Sequence, residues 1–149
     1  MMGKIYSINI SKTKGTPKTP IESVNLIENF GLEGDVHGQQ GIKQVSLLAI
    51  ESINKQNACP KVKNNGQPLK AGDFAENITT EGIELINLKV GDNLTVGTEV
   101  ILEISKIGKD CHKYCAIYYK TGDCIMPREG IFAKVIKDGN IRRGEEIDI

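Results

Sequence analysis

Apolar positions along this chain fall in short, partly alternating runs broken by glycine, a pattern that predicts strands far more often than helices. Residues 3–10 (GKIYSINI) alternate in part through Ile5, Ser7, Ile8 and Ile10 and predict a strand. Residues 12–18, mixing Lys, Thr, Gly and Pro, predict an exposed loop. After Pro20, the β-branched Ile21, Val24 and Ile27 favour a strand stopped by Gly31, although their spacing also suits one face of a helix. Residues 31–41 (GLEGDVHGQQG) hold four glycines among eleven residues, which rules out a regular helix or a central strand and predicts a shaped loop. Residues 45–50 predict a strand running into one short helix that ends before Pro60, with Ile50, Ile53 and Asn54 on one face. Residues 61–71 are polar and read as a flexible connection without obvious chemistry.

From Gly72 onward, short β-type runs separated by Gly82, Gly91 and Gly97 indicate a sandwich or barrel. Residues 90–104 (VGDNLTVGTEVILEI) and 138–149 (DGNIRRGEEIDI) echo each other, each with Gly, then Leu or Ile, then Gly three residues later, then Glu. Two turn-strand-turn-strand corners of a small closed barrel would produce this echo, as would chance recurrence of a common turn text. Residues 130–135 (GIFAKV) read as a core strand or short helix with Ile131, Phe132 and Val135 inward, needing no chemistry. The fold class expected is mainly β, barrel-like, with few short peripheral helices.

At 149 residues the chain fits a single domain over 1–149. Nineteen basic residues balance nineteen acidic ones, so the electrostatic footprint of a general nucleic-acid or anionic-membrane binder is missing. No stretch approaches the roughly 18 apolar residues of a membrane span, and residues 1–20 lack the apolar run of a signal peptide. A cytoplasmic protein is expected, whose four cysteines are thiols or metal ligands rather than a disulfide framework.

Three of those thiols, Cys111, Cys115 and Cys124, crowd into residues 108–128 beside His112 and three tyrosines. The ligand types would suit tetrahedral zinc, but gaps of C-x3-C and C-x8-C differ from the usual tight knuckles, and adjacent Cys111 and His112 rarely reach one ion. A nucleophilic or sulfur-carrying thiolate is the other reading, because nearby cations lower a thiol pKa. Lys106, Lys109, Lys113, Lys120 and Arg128 outnumber Asp110 and Asp123 here, a local positive excess that points to an anionic ligand or an activated thiolate. Cys115 and Cys124 read equally well as small buried hydrophobes. Asp35 and His37 on the glycine-rich loop suit a general base, a ligand contact or a turn-forming pair. Glu76 and Asn77 offer a carboxylate and an amide to a heterocycle edge, or to neighbouring loop backbone that they would stitch together. Nucleotide-binding GxGxxG and Walker loops, HExxH and GxSxG are all missing from the sequence.

The texts GLEGDVHG (31–38), QVSLL (44–48), GDFAENI (72–78) and VGDNLTVG (90–97), followed by a cysteine after the strand 100–107, together resemble a MOSC domain. That module is named from the C-terminal part of molybdenum cofactor sulfurases, and the resemblance covers nearly the whole chain. It implies a β-barrel-like fold, a single functional cysteine, and a role in binding the molybdenum cofactor (molybdopterin) or handling its sulfur. By position the functional cysteine is Cys111, whose thiolate would coordinate molybdenum or carry a persulfide. The family often has Arg or Pro just before this cysteine. Here the text is Gly108-Lys109-Asp110, which leaves Lys109 as the cationic neighbour. Cys115 and Cys124 lie outside the family pattern and would be able to form a dithiol with Cys111. On this resemblance, backbone N–H groups of the glycine-rich loop (Gly34, Asp35, His37, Gly38) would cradle the pterin phosphate, with charge from Lys109, Lys113 or Arg128, and Glu76 and Asn77 would complete the cofactor site at the heterocycle edge. Expected partners are a sulfur-donor protein and a molybdenum enzyme or cofactor-biosynthesis protein, because this sequence has no desulfurase half and would not be catalytically self-sufficient. The competing expectation is a zinc- or redox-responsive thiol protein using Cys111, Cys115 and Cys124 without pterin.

Overall fold

The computed structural model describes residues 2–13, 18–36, 38–57, 69–108 and 130–149. Strand β1 (Met2–Ile10) is followed by β2 (Thr19–Ile21), β3 (Ser23–Ile27), the two-residue β4 (Gly31–Leu32) and β5 (Val45–Ala49). Helix α1 (Ile50–Asn57) leads towards β6 (Ile78–Glu81), and a 3-10 turn (Leu85–Asn87) precedes β7 (Asn93–Val96) and β8 (Val100–Ile107). The chain ends with β9 (Ile131–Lys137), β10 (Gly139–Arg142) and β11 (Glu146–Asp148).

Seven of these strands close on themselves in the order β1, β6, β5, β9, β8, β7, β11 and back to β1. The seam is short: Met2 faces Asp148, and Lys4 faces Glu146. Only β5 and β6 run parallel, which requires the crossover that α1 begins; the other described pairings are antiparallel. A separate three-stranded sheet, β10-β3-β4, packs beside the barrel.

Alternation explains what fills the barrel. Inward positions Ile5, Ile8, Leu47, Ile78, Leu94, Leu102, Ile104, Ile131, Val135 and Ile147 are all buried in one aliphatic cluster. A barrel this small is filled by such side chains. Part of its outer wall is covered: Leu48, pointing outward from β5, joins Ile50 and Ile53 of α1 with Leu69 and Phe74 in a second cluster.

Several expectations are corrected here. Residues 23–27 form the strand that the sequence favours, with Val24 and Leu26 as the buried alternate pair and Ile27 exposed, and it is the alternative helical face of Ile21, Val24 and Ile27 that plays no part. Asn54 is exposed, and the buried residues described on α1 are Ile50, Ser52 and Ile53. The end of the polar 61–71 stretch is tied down, with Leu69 buried and its backbone clamped in both directions by the Asn57 amide. Phe132 points away from the barrel interior, unlike Ile131, Ala133 and Val135. The repeated text produces two different objects: β7 and β8 form a hairpin within the barrel, whereas β10 and β11 form a corner between the two sheets.

Candidate functional site

A register shift between Ile5 and Ser7 in the pairing of β1 with β6 turns Ile8 inward and Ser7 and Asn9 onto the outer wall. Alternation on β5 and β6 places Ser46 and Thr79 on that same wall, and Asn77 stands just before β6. The result is a buried polar network. The Asn77 amide donates to the Asn9 carbonyl (3.3 Å) and to Asp35 Oδ2 (3.1 Å), and its Oδ1 accepts from the Ser46 N–H (3.0 Å). The Asn9 amide donates to the Glu76 carbonyl and to Thr79 Oγ1, both at 3.1 Å. Thr79 Oγ1 in turn donates to Glu76 Oε2 (2.7 Å), which also accepts the Gly72 N–H (3.1 Å).

Two carboxyls in this network behave oppositely. Burial alone would raise Asp35, but hydrogen bonds from Lys18, the Ser11 N–H and Asn77, with the Lys18 charge, hold it below the usual carboxylate value. Lys18 Nζ lies 2.6 Å from Asp35 Oδ1, with both side chains almost fully buried. Burial raises Glu76, and donation from Thr79 and from the backbone N–H groups of Gly72, Glu76 and Phe74 does not offset it. Glu76 is 0% exposed, and its Oε1 has no hydrogen-bond partner among the described residues. A buried charge without a partner is costly, so burial holds the proton on this carboxyl to higher pH than on an ordinary glutamate.

The glycine-rich loop is pinned from inside. The N–H of Asp35 donates to the Leu32 carbonyl, that of Val36 to Ser11, that of Gly38 to Asp35 and that of Gln39 to Phe30. Gly38 is required by packing, since a Cβ there would lie 2.4 Å from the Phe30 ring. Gly34 adopts φ +83 in open space. The structure thus brings Asp35, Glu76 and Asn77 into one network, with Gly34 and Gly38 shaping the loop beside it. The expectations on His37, Lys109, Lys113, Arg128, Cys111, Cys115 and Cys124 lie outside the described residues.

The thiol-rich stretch leaves the barrel at Gly108 and rejoins it at Gly130, and the Gly108 N–H donates to the Gly130 carbonyl (2.7 Å). Strand register relates this stem to the network. Phe132 on β9 faces Ser46 of β5 on one side and Lys106 of β8 on the other. Ser46, Phe132 and Lys106 therefore share one row of the outer wall, two residues along from Gly130. Lys43 Nζ sits over the Phe132 ring, 5.8 Å from its centroid.

Sequence reasoning missed Lys18, Asn9, Ser46 and Lys43. Lys18, assigned to an exposed loop, is only 3% exposed. Nothing in its Pro-Lys-Thr surroundings signals burial, because the cause is a carboxylate distant in sequence. Asn9 and Ser46 carry a faint signal as polar residues inside apolar strand runs.

Among the described residues no group of three or more His, Cys, Asp or Glu is placed to hold a metal. Of the two ends of a molybdenum cofactor, the anionic phosphate suits the lysines around Phe132. The soft metal calls for thiols, and those lie outside the described residues.

A filled seven-stranded barrel with one parallel pair and a polar network on its outer wall defines the class of domain. The family model described as the MOSC domain matches residues 33–148, and the chain belongs to that family. Its fold is similar to that of the YuaD protein from Bacillus subtilis (TM-score 0.74, 18% identity, 99% of this chain and 94% of that one). YiiM from Geobacillus stearothermophilus is similar at TM-score 0.70 and 23% identity, over 99% of this chain and 74% of that one. YiiM from Escherichia coli is similar at TM-score 0.72 and 18% identity, over 99% and 69%. No curated protein matches in sequence. Among the described residues no helix is long and apolar enough to cross a membrane.

Proposed function

We propose that this chain is a single MOSC-type domain, cytoplasmic, that binds the molybdenum cofactor or carries sulfur destined for it through the Cys111 thiolate. The family membership carries this reading. It is supported by the stem at Gly108 and Gly130, which brackets the cysteine-bearing stretch in sequence and joins β8 to β9 on the side of the barrel that carries the polar network. Cations near a thiol favour the thiolate, the form that coordinates a soft metal or accepts a sulfane sulfur. When bound, the cofactor would supply a metal centre for oxygen-atom or sulfur chemistry. This chain's own residues would hold its anionic end and present the thiolate. Asp35, Glu76 and Asn77 contribute by holding the 31–41 and 69–77 loops in place, with Gly34, Gly38 and His37 on the first of these loops. Lys109, Lys113 and Arg128 would add positive charge around Cys111. A sulfur-donor protein and a molybdenum enzyme or cofactor-biosynthesis protein complete the route.

Native mass spectrometry of anaerobically purified protein, wild type beside Cys111→Ser, tests the reading. A pterin-sized or single-sulfur increment that disappears in the variant is the expected result. A zinc increment that persists with cofactor present and depends on Cys115 and Cys124 would overturn it in favour of a metal-responsive thiol protein.

A further inference from the structure

We infer that the mouth of the barrel beside α1 is a second binding site, one that takes a small molecule carrying a primary ammonium on a short apolar body. The inference goes beyond the proposed function, and no residue assigned to the thiol site takes part in it.

Strands β5 and β6 run parallel and end together at Ala49 and Glu81, so both lead to the same mouth of the barrel. A cavity of about 570 Å³ lies there, walled by α1 on one side and by the turn that follows β6 on the other. Its size falls within the roughly 300–1,000 Å³ of small-molecule sites, which barrel mouths commonly supply. Ala49 lines it together with Ile83 and Leu85, and all three belong to the interior aliphatic cluster. Ile86, on the same turn, is 58% exposed and adds an apolar lip.

Each wall carries a carboxylate that is fixed in place yet incompletely used. Glu51, in the first turn of α1, accepts the Gly82 N–H with Oε2 (3.1 Å), where the chain turns at a left-handed φ of +83. Glu84 accepts the Asn87 amide with its Oε2. The Oε1 of each accepts no hydrogen bond, and neither carboxylate forms an ion pair, among the described residues. Lys55, on the same wall as Glu51, is engaged in an interaction of its own.

A third acceptor is buried behind them. Thr80 is the register partner of Ala49, so its side chain leaves the sheet on the face from which Ala49 meets the cavity. Thr80 is 0% exposed, and its Oγ1 has no hydrogen-bond partner among the described residues. Leaving a buried hydroxyl unpaired costs free energy that an incoming donor, or a water it orders, recovers. A primary ammonium has three donors and no acceptor, which suits this set of unfilled acceptors, and its charge strengthens each bond. A quaternary ammonium brings the charge without the donors, and an alcohol brings a donor without the charge.

The test titrates the full chain with n-butylammonium and, separately, with n-butyltrimethylammonium and n-butanol, reading backbone amide shifts by NMR. Saturable shifts at Gly82 and Leu85 are expected with n-butylammonium, and weaker binding of the other two. Glu51→Gln/Glu84→Gln should weaken this binding about tenfold with an unchanged thermal melt, since glutamine still accepts the Gly82 and Asn87 N–H groups. Glu28→Gln/Glu99→Gln, which removes the same charge from exposed positions elsewhere, should not weaken it. Thr80→Val replaces the unpaired hydroxyl by a methyl of similar size, and should weaken binding about threefold without lowering the melt. No saturable shift in the wild type, or equal binding of the quaternary ammonium, overturns the site. So does equal weakening by the two double variants, or undiminished binding by Thr80→Val. Binding of n-butanol as tight as that of n-butylammonium would also overturn it, making the mouth a plain apolar cavity.

Discussion

Glu76 and Asp35, joined through Asn77, make opposite contributions to stability as pH changes. Asp35 is lowered from its ordinary 3.8, so its contribution is complete above that value and lost as pH falls through the lower folded value. Glu76 is raised from its ordinary 4.5, so its contribution is complete below that value and lost as pH rises through the folded value. Glu76→Gln, which cannot ionise, should therefore flatten the decline of stability above pH 4.5. Urea denaturation at a series of pH values checks this, and an unchanged slope would show that Glu76 is ionised in the fold. Lys18 and Asp35 form a pair whose value lies in not being broken. Removing either partner leaves a buried charge and should cost about 3–5 kcal/mol, whereas the double change Lys18→Met/Asp35→Leu should cost much less than the two single losses combined. Denaturation of the four proteins gives the coupling directly.

At the scale of elements, the 69–77 loop depends on one glycine. Gly72 has φ +92, a Cβ on it would lie 2.2 Å from the Lys18 carbonyl oxygen, and the Lys18 N–H donates to the Gly72 carbonyl (2.9 Å). Gly72→Ala should destabilise by more than about 1 kcal/mol, measurable as a lowered denaturation midpoint, with backbone movement at Lys18. Such elements were readable from the sequence wherever a local rule governs them. Alternation marked β1 and β8, and glycine spacing marked the turns and the 31–41 loop. What escaped depends on contacts distant in sequence. The face chosen by Phe132 follows from its neighbours Ser46 and Lys106, and the burial of Lys18 follows from Asp35. The polar network was legible in Asp35 and in the Glu76–Asn77 pair, whereas Asn9 and Ser46 read as ordinary interruptions of apolar strands.

For the whole molecule, the filled interior means that stability is concentrated in aliphatic layers rather than in the site. Ile147, fully buried on the closing strand, should lose about 2–5 kcal/mol on Ile147→Ala. Because β11 joins β7 to β1, that loss should also open the barrel wall, which limited proteolysis would detect as earlier cleavage near the seam.

The seam has a temporal meaning as well. Residues 2–4 wait for residues 146–148, so a chain emerging from the ribosome carries the unpaired edge of its first strand until nearly the last residues of this segment are made. During that interval the edge is a template for any other extended segment, and assembly becomes a race between late closure and intermolecular pairing. Slow translation or a crowded nascent pool would tilt the race towards aggregation, although the finished barrel leaves no free edge along that part of β1.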